Sequence, residues 1–310
     1  MGSQKIFVVG SSNMDMVVKT NHIPVPGETV LSGSFFMNAG GKGANQAVAV
    51  ARLGGEASFI SKMGNDVFGK QFLQLFRDEG IDTRYIVFDD NLPSGVALIT
   101  VDSAGENSIV VASGANANLK PIDIGEEARK NIADASILLM QLEIPMETVE
   151  FAARHASSHG VKVILNPAPV NTLTTELLSH IDIITPNQTE AEMIAGIRVT
   201  DMESAKQAAK AICEKGVNSV VVTMGARGSV IYHNQTFSVV PAQVVEAVDT
   251  TAAGDVFNGA LAVALSEGQE LPAAVDFANR AAAISVTRLG AQQSIPSRNE
   301  LIAERLNVRM

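Results

Sequence analysis

Short apolar runs rich in valine and isoleucine alternate with amphipathic stretches over most of this chain. The predicted strands are KIFVVG, ASFISKMG, ASILLMQLE, VKVILNPAP, DIITPN and SVVVTMG. The stretches between them, such as ANQAVAVARLGG and MESAKQAAKAICEKG, indicate helices, and several end at a glycine, as helices commonly do. This alternation predicts an α/β fold with a mostly parallel central sheet flanked by helices on both faces.

Two segments interrupt the alternation. Residues 14–36 and 94–114 contain strand patterns with no helix between them, and the second predicts a hairpin in which VALITV and SIVVAS flank the turn DSAGEN. Paired strands inserted into an α/β chain predict a small second sheet, formed by about 14–39 and 94–114, that acts as a lid or a dimer surface. The alternative is an antiparallel extension of the main sheet. We see no repeat or linker, so residues 1–310 are expected to form one domain with this inserted lid.

Composition excludes several classes of partner. The 310 residues carry a net charge of -10, which argues against nucleic acid as the main partner, because phosphate neutralisation needs clustered lysine and arginine. No apolar run approaches the ~18 to 20 residues of a membrane span. The single cysteine, Cys213, cannot form an internal disulfide, which suits a reducing compartment. A cytoplasmic protein without a membrane partner is expected.

The stretch NAGGKGANQA, residues 38–47, is glycine-rich and leads into a predicted helix. It lacks the P-loop pattern, because Gly43 rather than serine or threonine follows Lys42. It also fails the dinucleotide pattern, and GSSNMD follows the first strand where a dinucleotide-binding dehydrogenase needs glycines. The loop therefore resembles a phosphate cradle but matches neither template, and its ligand stays open on these residues alone.

Polar clusters follow five of the predicted strands. They are GSSNMD, QLE, NPAP, TPNQTE and TMGARG. In doubly wound sheets, ligands bind beyond the carboxyl ends of the strands. The five clusters together predict a ligand crevice at that edge of the sheet.

The segment DTTAAGDVFNGA, residues 249–260, indicates which type of reaction the protein could catalyse. Ala252, Ala253 and Gly254 lead into a helix that begins near Asp255, and the free amides at a helix N-terminus can bind an anion when small side chains allow it to approach. Asp255 is then either a helix cap or a general base. A base beside an anion hole suits phosphoryl transfer to an alcohol, with Mg²⁺ held through water by carboxylates such as Glu190.

These motifs, in this order through nearly the whole chain, resemble the family of ribokinase-like carbohydrate and nucleoside kinases. GGKGANQAVA and DTTAAGD carry the two most specific matches. The resemblance implies an α/β fold with a β lid that also forms a homodimer. It implies ATP-dependent phosphorylation of D-ribose at the 5-hydroxyl, giving D-ribose 5-phosphate and ADP, with Mg²⁺ and activation by a monovalent cation, usually K⁺.

The resemblance also implies roles for individual positions. Asp255 matches the catalytic base, and the amides of residues 252–255 match the anion hole. The sugar-binding positions are Asn13, Met14, Asp15, Gly41, Lys42, Gly43, Ala44, Asn45, Glu143 and Asp255. The ATP-site positions are Asn187, Glu190, Thr223, Met224, Gly225, Ala226, Arg227, Gly228, Ala252, Ala253, Gly254 and, near the adenine, Asn279. The cation positions are Asp249, Thr251, Ser285, Arg288, Gly290 and Ser294, several through backbone oxygens.

One position departs from the family pattern. The family more often has glycine where this chain has Ala252. An alanine is acceptable there unless its φ is positive, and we expect the change to have little effect.

Several alternatives stay open. Asn13 and Asp15 could cap a turn, and Glu143 could be an exposed loop carboxylate. The enzyme could be a fructokinase or adenosine kinase of the same fold, or the chain could be a sugar-binding regulatory protein without catalysis. Since Asn13 and Asp15 suit vicinal hydroxyls, ribose is favoured over a deoxy sugar.

Overall fold

The structure is a computed structural model that describes residues 4–31 and 33–307. Ser32, inside the predicted lid segment, and the ends of the predicted 1–310 domain lie outside the described residues. The strands are β1 (Lys5–Val9), β2 (Asn13–Lys19), β3 (Ser34–Gly40), β4 (Glu56–Gly64), β5 (Ile86–Asp89), β6 (Gly95–Val101), β7 (Asn107–Ala112), β8 (Ile137–Met140), β9 (Lys162–Leu165), β10 (Ile183–Ile184), β11 (Ser219–Thr223), β12 (Ser229–His233) and β13 (Thr236–Val240). The helices are α1 (Lys42–Arg52), α2 (Val67–Asp78), α3 (Glu126–Ala133), α4 (Met146–Ser158), α5 (Thr175–Ser179), α6 (Gln188–Ala195), α7 (Met202–Cys213), α8 (Ala253–Ser266), α9 (Leu271–Ser285) and α10 (Arg298–Asn307).

The central sheet has nine strands in the order β13-β12-β11-β10-β9-β8-β1-β4-β5. All neighbours from β11 to β5 pair in parallel, and β12 alone runs in the opposite direction, so its pairings with β11 and β13 are antiparallel. The predicted α/β fold with a mostly parallel sheet is confirmed. The edge strands β5 and β13 and their neighbour β12 were not predicted, and β10 is only two residues long.

The central strands are buried on both faces, which explains their continuous apolar sequences. In β1, Ile6 and Val8 belong to one hydrophobic cluster, while Phe7 and Val9 belong to another on the opposite face. Helices α1, α8 and α9 contribute to the first cluster, and α4 and α7 contribute to the second. The α1 and α8 helices pack closely because α8 carries Gly259, where a Cβ would lie 2.5 Å from the Ala49 Cβ.

The two segments that interrupt the alternation form a separate sheet of four strands, in the order β3-β2-β6-β7. We call it the lid sheet. The hairpin of β6 and β7 was predicted, and the alternative in which these strands extend the main sheet is wrong. Because β2 leaves β1 after three residues, the lid sheet begins at the carboxyl edge of the central sheet.

In the part of the chain that the structure describes, no helix combines the length and the apolar character that crossing a bilayer requires.

Candidate active site

Two neighbouring cavities open at the carboxyl edge of the central sheet. One, of about 220 Å³, extends from Lys42 and Asp255 to the start of α6 and the end of β11. The other, of about 440 Å³, lies beneath the lid sheet, and its lining includes Asn13, Asn116 and Glu143. The predicted crevice at the strand ends therefore exists, and it has two parts.

Asp255 lies in the first turn of α8 and is 6% exposed. Its Oδ2 accepts a hydrogen bond from Asn45 Nδ2 at 2.9 Å, and its Oδ1 accepts one from Gln46 Nε2 at 3.0 Å. Both donors come from α1. The N-cap position of α8 is Ala252, and no side chain within the described residues caps the helix there. The cap alternative for Asp255 is wrong, because its carboxylate is held across the site by another helix.

The environment of Asp255 perturbs its protonation. Burial raises the pKa of this carboxyl above its usual range, and the Glu143 carboxylate raises it further. Lys42 and the amide donors Asn45 and Gln46 oppose the rise because they stabilise the ionised form. A carboxylate with a raised pKa that faces a cavity is well suited to accept a proton near neutral pH.

Ala252 adopts a left-handed conformation, with φ 60° and ψ 8°. The expectation that alanine has little effect here assumed a negative φ, and that assumption is wrong. A left-handed alanine costs about 1 kcal/mol or more relative to a relaxed backbone. Ala252 immediately precedes α8, and together with Gly254 it lines the smaller cavity.

Only some of the backbone amides in the predicted anion hole at residues 252–255 are available to bind an anion. The amide of Ala253 donates to Thr250 O at 3.2 Å. The amides of Gly254 and Asp255 have no acceptor from a preceding helical turn, and a Cβ at Gly254 would have no atom within 4 Å. The helix start is braced by Asn258, whose Nδ2 donates to Gly254 O at 2.8 Å.

The sugar-side residues form a charged cluster beneath the lid sheet. Asn13 and Asp15 lie in strand β2, so the turn-cap alternative is wrong. Glu143 is half-buried, and its Oε2 accepts hydrogen bonds from Ser11 Oγ at 2.5 Å and from the Lys42 amide at 3.0 Å. It is therefore an anchored group and not an exposed loop carboxylate.

The closely spaced charges of this cluster shift the pKa values of its side chains. Burial raises the pKa of Asp15 to about 7, with Glu143 and Asp255 adding to the rise and Lys42 opposing it. Burial alone would lower the pKa of Lys42, but the carboxylates of Asp255 and Glu143 outweigh it and raise that pKa. The lysine stays charged and interacts with Asp15 and Asp255, whose pKa values are raised.

The glycines of residues 40–43 allow the loop to approach its own chain. Gly41 has φ 90°, and a Cβ at Gly43 would lie 2.5 Å from the amide nitrogen of Ser11. The loop therefore packs directly on residues 10–13 and brings Lys42 and Asn45 to the site. Met14 and Ala44 are buried in the hydrophobic core. Their predicted contact with the sugar stays a prediction.

Two of the predicted ATP-site residues, Asn187 and Glu190, form a capping box at the start of α6. Both Glu190 carboxylate oxygens accept hydrogen bonds from Asn187, at 2.8 Å from its amide and from its Nδ2. Burial raises the pKa of Glu190. The carboxylate lines the smaller cavity beside Lys42, which suits the expected contact with Mg²⁺ through water.

The remaining predicted ATP-site residues lie near the end of β11. Thr223 lines the smaller cavity, and the residues after it form a tight turn over Gly225–Arg227. Arg227 donates to Thr200 O. Asn279 is buried, and its amide bonds Ser229, Val240 and Pro241, so it holds α9 to the antiparallel strands. Its predicted place near the adenine stays a prediction.

Hydrogen bonds join three of the predicted cation-binding residues, Asp249, Thr251 and Gly290. Asp249 accepts hydrogen bonds from the Thr251 amide and hydroxyl through Oδ1, and from the Gly290 amide at 2.9 Å through Oδ2. Arg288 pairs with Glu300, and because its guanidinium is itself a cation, only its backbone oxygen is available to a bound cation. Ser285 and Ser294 are buried. Oxygen atoms alone suit a hard monovalent cation. The described residues hold no cluster of three His, Cys, Asp or Glu side chains that could bind a metal ion.

Four residues that sequence reasoning missed support the site. Gln46 contacts Asp255, and Gln141 contacts Gln46. Asn116 donates to Asn13 Oδ1 at 2.8 Å, and Ser11 anchors Glu143. Gln46 and Gln141 fall inside the quoted motifs GGKGANQAVA and LLMQLE, which was the available signal. Nothing in the sequence around Asn116 indicates its contact with residues 12 and 13.

Comparison with known proteins identifies the class to which this fold and site belong. The family model described as pfkB family carbohydrate kinase matches residues 3–298. The chain therefore belongs to the pfkB family of carbohydrate kinases and is a sugar kinase.

Individual relatives narrow the resemblance. A ribokinase of Haemophilus influenzae is 47% identical over 295 residues, covering 95% of this chain and 96% of that protein. A deoxyribokinase of Salmonella typhi is 38% identical over 293 residues, covering 94% and 95%. The structure of Arabidopsis thaliana ribokinase complexed with ribose and ATP has a TM-score of 0.91 at 33% identity, covering 98% of each chain. The predicted resemblance to ribokinase-like kinases is confirmed.

Proposed function

We propose that this protein is a ribokinase, which transfers the γ-phosphoryl group of ATP to the 5-hydroxyl of D-ribose. The observation that carries the proposal is the position of Asp255. It lies between the sugar-side cluster beneath the lid sheet and the cavity that Glu190 and Thr223 line. The 47% identical ribokinase relative supports ribose as the sugar.

The chain's own groups supply three parts of the transfer. Asp255 accepts the 5-hydroxyl proton as the oxygen attacks, because its burial gives it an unusually high proton affinity. The Gly254 and Asp255 amides stabilise charge on the phosphoryl oxygens, and the Lys42 ammonium adds a positive charge between the two cavities. Mg²⁺, when bound with ATP near Glu190, supplies neutralisation of the phosphate charge.

The sugar side favours a ligand with adjacent hydroxyl groups. Asn13 and Asp15 project from the same face of β2, since they are two residues apart in a strand. Asn116 holds the Asn13 oxygen, so the Asn13 amide is presented in one orientation. A second candidate substrate is 2-deoxyribose, because a 38% identical relative is a deoxyribokinase.

A substrate panel assayed by ADP release tests the proposal. We expect the highest kcat/KM with D-ribose, and higher activity with K⁺ than without it. A higher value with fructose or adenosine would identify a different kinase of this family. No sugar-dependent ADP release with any compound would instead support a regulatory sugar-binding protein.

We also propose that the lid sheet forms a homodimer and that the chain is one domain with this sheet inserted. Strand register places Met37, Leu98 and Val110 in one row across the sheet, on the face opposite Asp15. These three side chains are 48%, 55% and 65% exposed. An apolar row of this kind on a sheet face is typical of an interface. Sedimentation velocity of Val110→Lys, against Lys70→Ala on α2 as control, should show loss of the dimer only in the first.

A cytoplasmic location is part of the proposal. ATP is available there, and a lone cysteine suits a reducing compartment.

A further inference from the structure

Two buried glutamines form a hydrogen-bonded chain behind Asp255. Gln46 and Gln141 are both 0% exposed. Gln46 Nε2 donates to Asp255 Oδ1 at 3.0 Å and to Asn166 Oδ1 at 3.1 Å. Gln141 Nε2 donates in turn to Gln46 Oε1 at 2.5 Å. These hydrogen bonds connect the end of β8 to the Asp255 carboxylate through Gln46 of α1.

The orientation of each amide in this series of hydrogen bonds follows from the Asp255 carboxylate, which can only accept. A side-chain amide has donors on one side and an acceptor on the other. Asp255 Oδ1 and Asn166 Oδ1 are both acceptors, so Gln46 must turn its NH₂ group toward them. Its carbonyl oxygen then faces Gln141, which must present its own NH₂ group. Asn166 is fixed as well, since its Nδ2 donates to Thr185 O at 3.4 Å.

The surroundings confine the two side chains. A Cβ at Gly10 would lie 2.1 Å from Gln141 Oε1, so the backbone after β1 approaches this side-chain amide closely. A Cβ at Gly259 would lie 3.0 Å from the backbone oxygen of Gln46, so α8 packs directly on the α1 backbone that carries this side chain. Among the described residues, Gln141 Oε1 has no hydrogen-bond partner. An apolar side chain would avoid that cost, so the hydrogen bond that Gln141 donates to Gln46 is what the amide contributes at this position.

We propose that Gln46 and Gln141 are positioning residues for the base. Gln141 fixes the orientation of the Gln46 amide, and Gln46 holds the Asp255 carboxylate ionised and aimed at the sugar hydroxyl. This inference rests on the proposed function, in which Asp255 accepts the hydroxyl proton.

The charges around Asp255 explain why it needs such support. Three carboxylates face it: Glu143 after β8, Asp15 on β2 and Glu190 on α6. Lys42 on α1 is the cation that opposes them. Burial raises the pKa of Asp255, while the donors Asn45 and Gln46 help to lower it. A Gln46 amide turned the other way would place its oxygen against the carboxylate and favour the protonated, inactive form.

A double-mutant cycle with ribose and ATP tests the inference. We expect Gln46→Met to lower kcat by about tenfold or more and to move the acidic limb of the kcat profile to higher pH, with little change in the KM for ribose. Gln141→Met should act in the same direction but less strongly. If Gln141 acts only through Gln46, the double variant should match Gln46→Met alone.

Isosteric and surface variants complete the experiment. Gln141→Glu keeps the side-chain shape but replaces the donor with an acceptor, so it should reverse the Gln46 amide and move the acidic limb furthest. Gln74→Met, at an exposed position on α2, is the matched control and should retain the wild-type profile. Circular dichroism checks that each variant folds. If a methionine variant does not fold, Gln141→Glu provides the test in its place.

The outcomes separate this inference from the proposed function. Additive effects in the cycle, or wild-type kcat and pH profile in folded Gln46→Met or Gln141→Glu, would overturn the inference while ribose phosphorylation stands. Full activity in Asp255→Asn would overturn the proposed role of the base and this inference with it.

Discussion

Replacing Asp15 by asparagine should stabilise the protein while weakening its hold on the sugar. Asp15 is a half-buried residue of strand β2 in the lid sheet, and it is repelled by the carboxylates of Glu143 and Asp255, with Lys42 offsetting them. Asparagine keeps the shape of the side chain but carries no charge. The substitution therefore removes repulsion and also removes a strong hydroxyl acceptor.

The gain in stability expected for Asp15→Asn depends on pH because the pKa of Asp15 is shifted in the folded protein. The folded value of about 7 lies above the ordinary 3.8, so the folded chain keeps a proton that the unfolded chain releases between these values. Wild-type stability thus falls as pH rises from about 4 to about 7, and the full penalty is present above that. A shift of about three units corresponds to at most about 4 kcal/mol. The variant should gain almost nothing near pH 4 and up to this amount near pH 8.

Thermal unfolding followed by far-ultraviolet circular dichroism measures this gain. The chain has no tryptophan and two tyrosines, so intrinsic fluorescence is a poor probe. At about 2 °C per kcal/mol for a chain of this size, Asp15→Asn should melt up to roughly 8 °C higher near pH 8. Asp276→Asn on α9, where the carboxylate is 57% exposed, is the control. If the difference between Asp15→Asn and wild type does not change with pH, the reasoning about the buried charge is wrong.

Three further predictions concern the site. Asp255→Asn should nearly abolish turnover while ribose binding stays measurable by calorimetry; retained turnover would show that the carboxylate is not the base. Ala252→Gly should relieve the left-handed strain and raise stability by up to about 1 kcal/mol in urea unfolding, and a loss of stability would show that the strain is small. 2-Deoxyribose should be a poor substrate, by ~10⁴-fold in kcat/KM if the site hydrogen-bonds the 2-hydroxyl, and equal values for the two sugars would refute that contact.

Sequence periodicity predicted the main architecture because both faces of the central strands are buried. Runs such as KIFVVG must be apolar throughout when helices cover each face. The lid hairpin was also visible, since DSAGEN separates two strands with strong β propensity. The edge strand β13 escaped prediction because it is short and mostly exposed. The strand β12 is as long and as buried as β11, so its apolar pattern SVIYH was present in the sequence and was missed.

The roles of single residues were less accessible to sequence reasoning. A carboxylate in the first turn of a helix is compatible with a cap or with a base, and only the contacts of Asp255 with Asn45 and Gln46 distinguish the two. These partners lie 210 and 209 residues away along the chain. Ala252 illustrates the same limit, since its φ depends on how the preceding loop enters α8.

The sequence by itself determined the α/β class, the inserted strands and the two motifs around Gly41 and Asp255. These features follow from local periodicity and from residue types at fixed spacing, which the chain encodes over short stretches. Only the tertiary structure decided which groups meet: the four carboxylates that crowd around Lys42, the glutamine chain behind Asp255 and the left-handed start of α8. Such contacts join elements far apart in sequence, and their geometry depends on how closely α1, α8 and the lid sheet pack.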